Sequence, residues 1–173
     1  NYIQKQTNNN FNIEIRHNEK SVKVDVTREI INLDSVVKKV FEKENKKIGY
    51  LGISIFANNT YLQVKEELDW LEHEGIDSLI IDVRGNTGGH LTSVENILSL
   101  FLDRSHIIYN IEDDNGVTKV YSSGSKTKEY PIVVLTNELS ASASEILTAA
   151  LKEEYGAKSV GKKTYGKGSA QEL

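Results

Sequence analysis

A short stretch at residues 78–83 (SLIIDV) constrains the fold more than any other part of the sequence, because it is apolar without alternation. A strand that is apolar throughout has to be buried on both faces, which is typical of parallel sheets covered by helices. A glycine-rich loop at residues 84–90 (RGNTGGH) follows directly. It lies at the carboxyl end of the predicted strand, where α/β sheets favour ligand binding.

The segments around this strand alternate between strand and helix patterns. We predict strands at residues 48–56 and 132–136, a hairpin at 106–122 and helices at 61–71 and 91–102. Residues 27–47 are compatible with a strand pair or a short helix. Near the amino terminus, residues 11–15 and 22–26 alternate apolar and polar positions around a turn, which predicts a β-hairpin. The order of elements predicts an α/β fold with a mixed, mostly parallel sheet.

The composition narrows the class of protein. The chain has 173 residues, of which 38% are hydrophobic and 27% are charged, as in a soluble globular domain plus a fragment. A net charge of −4 gives no reason to expect nucleic acid or an anionic membrane as a partner. The absence of cysteine excludes disulfides, thiolate metal sites and a thiol nucleophile. No apolar run is long enough to span a membrane.

Residues 139–171 (LSASASEILTAALKEEYGAKSVGKKTYGKGSAQ) carry candidate catalytic groups at both ends. Apolar residues at helical spacing, followed by a glycine, predict a helix over residues 142–155. A serine in its first turn would lie beside free N–H groups and the positive end of the helix dipole, which stabilise an oxyanion. The alternative is that Ser140, Ser142 and Ser144 only cap the helix.

Lys167, which lies between two glycines, is the second candidate group. A serine nucleophile needs a base, and a lysine can serve when its amine is neutral near pH 7. The usual lysine pKa of about 10.4 would have to fall by roughly 3 units, at a cost of about 4 kcal/mol, through burial. The alternative is an ordinary solvated lysine in a loop.

Together these two motifs resemble those of the C-terminal processing peptidases, also called tail-specific proteases. The family nucleophile is the middle serine of an S-A-S-A-S-E-I motif, which matches Ser142. The family base is the lysine of a [FY]-G-K-G motif, which matches Lys167, and a glutamine follows four residues later at Gln171. The two motifs are separated by 25 residues, as in the family. The resemblance spans roughly residues 47–171, and two motifs at a fixed separation are far more specific than either alone.

The resemblance implies a Clp protease/crotonase-like core and a serine–lysine dyad in which Gln171 orients a buried, neutral Lys167. It also implies an oxyanion hole formed by the N–H of Ala143 and that of Gly88 or Gly89. The proline that usually precedes these two glycines is replaced by a threonine. Glu153 matches an acid that some members carry, and we interpret it as structural. No metal or organic cofactor is implied, and the partners are polypeptide substrates with apolar C-termini.

The family also implies a domain organisation. We assign residues 1–30 to the C-terminal part of a PDZ-like domain, with an edge hairpin of the core as the alternative, and residues 31–173 to a C-terminally truncated peptidase core. We expect the chain to be a soluble, excised piece that folds but cleaves more slowly than its parent. The parent is expected outside the cytoplasm, with membrane anchoring only through segments absent from this chain.

Three other functions are compatible with parts of the sequence. Residues 161–167 fit most of a phosphate-loop pattern, but Gly168 stands where a serine or threonine would hold magnesium. A serine–histidine pair would need His90, because the other histidines occupy ordinary surface positions. The third alternative is a catalytically decayed, PDZ-linked peptide-binding module, against which the intact dyad motifs argue.

Overall fold

The structure is a computed structural model that describes residues 7–18, 20–29 and 32–169. Two compact units, Asn1–Asn32 and Leu33–Leu173, make up the chain.

The first unit contains the predicted β-hairpin. Strands β1 (Asn10–His17) and β2 (Lys20–Thr27) pair antiparallel in a continuous register. None of the described residues of this unit is buried, although Phe11 and Ile13 are half-buried. A hairpin without a buried core has little stability of its own. Its assignment to a PDZ-like domain stays a prediction.

The second unit alternates strands and helices. Its elements in chain order are β3 (Val36–Lys43), β4 (Lys46–Ile53), α1 (Thr60–His73), β5 (Ser78–Asp82), α2 (Leu91–Leu98), β6 (Ile107–Asp113), β7 (Gly116–Tyr121), β8 (Ile132–Thr136), α3 (Ala143–Ala150) and β9 (Lys158–Gly161). Five of these strands form one sheet in the order β3-β4-β5-β8-β9. The β3–β4 pair is antiparallel and the other three pairs are parallel. The predicted α/β fold with a mixed, mostly parallel sheet is confirmed.

Several element boundaries differ from the prediction. The undecided segment 27–47 supplies β3, so the strand interpretation is correct there. The α2 helix ends at Leu98 and not at Leu102, because the N–H groups of Leu100 and Phe101 bond three residues back in a tighter turn that buries Phe101 and Leu102. The predicted helix 142–155 is α3 followed by a wider π-helical turn, Leu151–Tyr155.

A single apolar core joins the central strands to the helices. Strand β5 is buried at Leu79 and Ile81 on one face, whereas Ile80 on the other face is half-buried, so the predicted burial of both faces is met only in part. The core side chains with no exposed surface come from the sheet and from all three helices: Leu51, Phe56, Val64, Leu71, Val83, Val94, Ile97, Leu98, Phe101, Leu102, Ala143, Leu147 and Leu151. Within the described ranges, no helix is both long enough and apolar enough to cross a membrane.

The helix α1 offers a matched test of this core. Leu71 is fully buried, whereas Leu62 on the same helix is 64% exposed. We expect Leu71→Ala to lower the free energy of unfolding by about 2–5 kcal/mol, because it removes packed methyl groups and leaves a cavity. Leu62→Ala should change that free energy by less than about 0.5 kcal/mol. Urea unfolding of both variants measures the difference, and equal losses would contradict the packing of α1.

Candidate active site

Three segments that follow parallel strands meet at one edge of the sheet. Residues 83–90 follow β5, residues 137–142 follow β8 and residues 162–167 follow β9. The third segment continues beside the second, because Lys162 N–H donates to the Thr136 carbonyl (3.1 Å) and Tyr165 N–H donates to the Ser140 carbonyl (3.0 Å). The serine motif and the lysine motif therefore lie side by side.

An ionic cluster fixes the end of β5. Asp82 is almost fully buried and accepts hydrogen bonds from the Arg84 guanidinium (2.5–3.0 Å) and the Tyr50 hydroxyl (2.9 Å). Burial alone would raise the pKa of Asp82, but the hydrogen bonds from Arg84 outweigh it and lower the pKa. A carboxylate with a lowered pKa stabilises the fold above the ordinary carboxyl range, and this contribution is lost as the pH falls through the folded-state pKa.

Asn86, with no exposed surface, links the glycine-rich loop to its surroundings. Its side-chain amide donates to the Ile53 carbonyl (2.9 Å) and its side-chain oxygen accepts the Gly88 N–H (2.9 Å). Its backbone carbonyl accepts the Ala141 N–H (3.1 Å) and the Ser144 hydroxyl (2.9 Å). One residue therefore holds the glycine loop against the serine motif.

The three serines of the motif have different environments. Ser140 is fully buried, and its hydroxyl donates to the Val83 carbonyl (2.8 Å). Ser144 is also fully buried, and its hydroxyl is bound to the loop as described above. Ser142 between them is only partly buried. Two of the three hydroxyls thus hold the loops together, and the middle one lies nearest to solvent.

Ser142 also has an unusual backbone conformation. Its φ of 55° and ψ of −116° place it in a region that residues with a side chain rarely adopt. Such strain persists only where the surrounding contacts impose it, and it concentrates at functional sites. A serine on a sharp, strained strand-to-helix turn presents its hydroxyl outward in α/β-hydrolases.

Gly88 lies directly against the serine, whereas Gly89 packs against the Phe56 backbone. An added Cβ on Gly88 would be 2.9 Å from the Ser142 Cβ and 3.2 Å from the Ala143 nitrogen. Gly88 N–H is taken up by Asn86, whereas Gly89 N–H has no hydrogen-bond partner among the residues that the structure describes. Ala143 begins α3, so its N–H has no acceptor within the helix.

The carboxylate of Glu145 joins the serine motif to the lysine motif. Its Oε2 accepts the Ser142 N–H (2.8 Å) and the Lys167 N–H (2.9 Å), and its Oε1 accepts the Gly166 N–H (2.6 Å). The Ser142 and Lys167 nitrogens both bond to one oxygen atom, so the distance between them cannot exceed the sum of the two hydrogen-bond lengths. The structure therefore brings the Ser142 and Lys167 backbones together across 25 residues of sequence.

Glu145 is held as a carboxylate by these donors. Burial would raise its pKa, but hydrogen bonds from the Thr164 hydroxyl and from the three backbone N–H groups outweigh that effect and lower the pKa. The shift means that the bridge between the motifs is complete above the ordinary carboxyl range and weakens in acid.

Lys167 departs from one expectation. The mechanism implied by the resemblance needs a buried lysine, but Lys167 is exposed. The physical reason is that residues 161–169 continue from the edge strand β9. Only Thr164 among them is half-buried. Gln171, the predicted partner of Lys167, lies outside the described residues.

No hydrogen bond joins His90 or His106 to Ser142 in the described part of the chain. The ring of His106 hydrogen-bonds to Asp103 (3.1 Å) and Ser105 (3.3 Å), and His90 is exposed at the start of α2. Over residues 7–18, 20–29 and 32–169, no three histidine, aspartate or glutamate side chains are grouped closely enough to hold a metal ion.

The sequence interpretation assigned no role to Glu145 or Asn86. For Glu145 a signal was present, since a serine followed three residues later by glutamate predicts a capping box. That pattern explains the bond to Ser142 but not the bonds to Gly166 and Lys167, which require the folded sheet. For Asn86 no pattern in the sequence indicated burial.

Comparison with known proteins agrees with this geometry. Residues 47–173 match peptidase family S41. A carboxyl-terminal-processing protease of Picosynechococcus is 39% identical over 151 residues, which cover 87% of this chain and 36% of that protein. The carboxy-terminal processing protease CtpB of Bacillus subtilis is 40% identical over 148 residues, covering 85% of this chain and 31% of that protein. The chain thus spans about a third of the length of these relatives.

A solved structure gives the same result for the fold. The photosystem II D1 C-terminal processing protease superposes with a TM-score of 0.71 at 28% identity, covering 88% of this chain and 42% of that one. The resemblance found in the sequence and the fold that it implies are confirmed. The match over residues 47–173 shows that this chain belongs to peptidase family S41, a family of serine-type peptidases.

Proposed function

We propose that the protein is a serine endopeptidase in which Ser142 is the nucleophile and Lys167 the general base, and that it acts on polypeptides selected by their C-terminal region. The observation that carries this proposal is the shared bond of the Ser142 and Lys167 N–H groups to one oxygen of Glu145. The strained backbone of Ser142 is the second support, because it matches what an outward-facing nucleophile requires.

The reaction follows from these positions. The neutral Lys167 amine accepts the proton of the Ser142 hydroxyl as the serine oxygen attacks the scissile carbonyl. The resulting ammonium then protonates the leaving amine as the carbon–nitrogen bond breaks, which leaves an ester on Ser142. Water attacks that ester while Lys167 accepts its proton, and the proton returns to the serine oxygen as the acid product leaves. In this proposal Gln171 orients the amine.

The negative oxygen of the intermediate needs two donors. Ala143 N–H at the start of α3 is one, with the helix dipole behind it. We assign the other to Gly89 and not to Gly88, because Gly88 N–H already donates to Asn86. A side chain on Gly88 would collide with Ser142, so this glycine is required for close packing in either case.

The exposure of Lys167 requires a further condition. The structure leaves the Lys167 side chain in contact with water. A polypeptide bound across the site would remove that water and favour the neutral amine. We therefore propose that substrate binding completes the base, so that the dyad becomes competent only in the complex.

The finer features of the substrate remain part of this proposal. Apolar C-termini, a PDZ-like unit that presents them and a location outside the cytoplasm are carried by the resemblance. Two relatives are named as carboxyl-terminal-processing proteases, which supports action at C-termini in general.

Replacement of the dyad tests the assignment. We expect Ser142→Ala and Lys167→Ala in the full-length protein each to lower kcat/KM by at least about 10³-fold, because each removes a group that acts in every turnover. His90→Ala should leave the rate within about twofold. Cleavage of an unstructured polypeptide with an apolar C-terminus measures all three. A large loss with His90→Ala alone would contradict the lysine assignment.

The pH profile tests the base separately. A lysine base works only after its ammonium loses a proton, so kcat/KM should rise between about pH 6 and pH 9. Glu145 does not contribute to this rise, because its lowered pKa keeps it ionised throughout that range. Initial rates at constant ionic strength measure the profile, and a flat profile would argue for a different base.

Glu145 is expected to position the dyad without reacting. Glu145→Ala should lower kcat by roughly 10–100-fold, because a base displaced by about 1 Å loses its geometry. Hydrogen exchange at the Gly166 and Lys167 amides should accelerate in the same variant.

The control is Glu138→Ala. It removes an exposed carboxylate that accepts a hydrogen bond from the Lys162 side chain, in the segment that also contains Gly166 and Lys167. It should change neither the rate nor the exchange. Unchanged exchange in Glu145→Ala would show that the carboxylate does not hold the lysine segment.

A further inference from the structure

A pocket with a volume of about 410 Å³ lies between strand β6 and helix α3. Its apolar wall is formed by Ile107, Ile108, Ile146, Ala149 and Ala150. Ile108 and Ala150 are buried, whereas Ile107 and Ile146 are half-buried and Ala149 is exposed, so the pocket opens to solvent. This volume is at the lower end of the range for sites that bind small organic groups.

The pocket lies next to the proposed nucleophile. Glu145 lines it and also accepts the Ser142 N–H (2.8 Å). Ile146 in its wall donates its N–H to the Ser142 carbonyl (3.0 Å). The near end of the pocket is therefore within one helical turn of Ser142, and its far end, at Glu153 and Glu154, lies about three turns along the helix.

Two carboxylates that lack counterions lie at the rim. Glu153 and Glu154 line the pocket from the π-helical turn Leu151–Tyr155, and neither forms an ion pair in the described part of the chain. The turn is anchored because the Tyr155 hydroxyl donates to the Tyr130 carbonyl (2.6 Å). Glu145 adds little attraction for a cation, since three N–H groups surround its charge.

We propose that this pocket binds an apolar side chain of the polypeptide substrate beside the scissile bond, and that Glu153 and Glu154 select a lysine or arginine next to that side chain. The inference rests on the proposed function, which places the scissile bond at Ser142. An apolar wall favours an aliphatic side chain, because apolar surface on both sides is removed from water. An adjacent cation would lie over two uncompensated negative charges, whereas an adjacent acid would be repelled.

The size of each effect can be bounded. Filling an apolar pocket beside a reacting bond changes kcat/KM by roughly 10–200-fold per group. An exposed charge pair contributes much less, about two- to fivefold. The apolar preference should thus dominate, and the charge preference should be smaller and sensitive to salt.

The test uses quenched fluorescent peptides of one sequence that vary only beside the cleaved bond. One position is leucine or glycine and its neighbour is lysine or glutamate. We expect the full-length protein to cleave leucine over glycine by at least about tenfold and lysine over glutamate by about two- to fivefold. The double variant Glu153→Gln, Glu154→Gln should abolish the second ratio and keep the first.

A second variant, Ala149→Trp, fills the apolar space from an exposed position and leaves both carboxylates in place. It should reduce the leucine preference and keep the lysine preference. Glu66→Gln, an exposed glutamate on α1, is the matched control and should change neither ratio. Thermal unfolding of each variant checks that it folds.

Failure of this inference can be separated from failure of the proposed function. Cleavage that requires Ser142, with both ratios unchanged in both pocket variants, would overturn the pocket assignment alone. Cleavage that survives Ser142→Ala would overturn the proposed dyad. In that case the two ratios measured on the surviving cleavage still test the pocket, and equal rates for all four peptides would reject it.

Discussion

The carboxylate of Glu145 is the interaction on which the site depends. It is placed by the first turn of α3, yet it accepts hydrogen bonds from residues that follow β9, the strand at the sheet edge. The parallel sheet brings these segments to the same edge because its strands share one direction. Packing alone would leave the lysine segment loosely attached, since nearly all its side chains are exposed. The charge-assisted bonds to Glu145 supply the missing order.

The same bonds account for the strain at Ser142. A residue with a side chain in that conformation costs about 1–3 kcal/mol. A hydrogen bond from an N–H group to a charged carboxylate contributes about 1.5–3 kcal/mol, so the Ser142 N–H bond to Glu145 is of the size needed to offset it. Asn86 supports the other side of the turn by accepting the Ala141 N–H. The unusual backbone is therefore held from both directions.

Much of this could be predicted from local pattern. The apolar strand at residues 78–83 required a covered parallel sheet, and the 25-residue interval between Ser142 and Lys167 indicated the family. Residues 27–47 could not be assigned, because their few apolar positions fit a strand or a helix and only pairing with β4 decides between them. The exposure of Lys167 could not be predicted either, since burial of a loop residue depends on what packs over it. Glu145 carried a capping signal, but its long-range bonds exist only in the fold.

The two residues of the proposed dyad, Ser142 and Lys167, differ in how firmly the fold holds them. Ser142 lies between the buried residues Ala141 and Ala143, in the segment that follows the interior strand β8. Lys167 follows the edge strand β9, whose residues are all exposed. A nucleophile has to be oriented to within fractions of an ångström, and the core provides that orientation. A lysine base has to lose its proton, and an exposed site works against that loss. In the proposed dyad these two requirements are separated: the fold holds Ser142, and the proposed polypeptide substrate would provide the dry surroundings of Lys167. An enzyme of this kind would hold its nucleophile ready but remain weakly reactive towards water-exposed esters and amides until a chain covers the sheet edge.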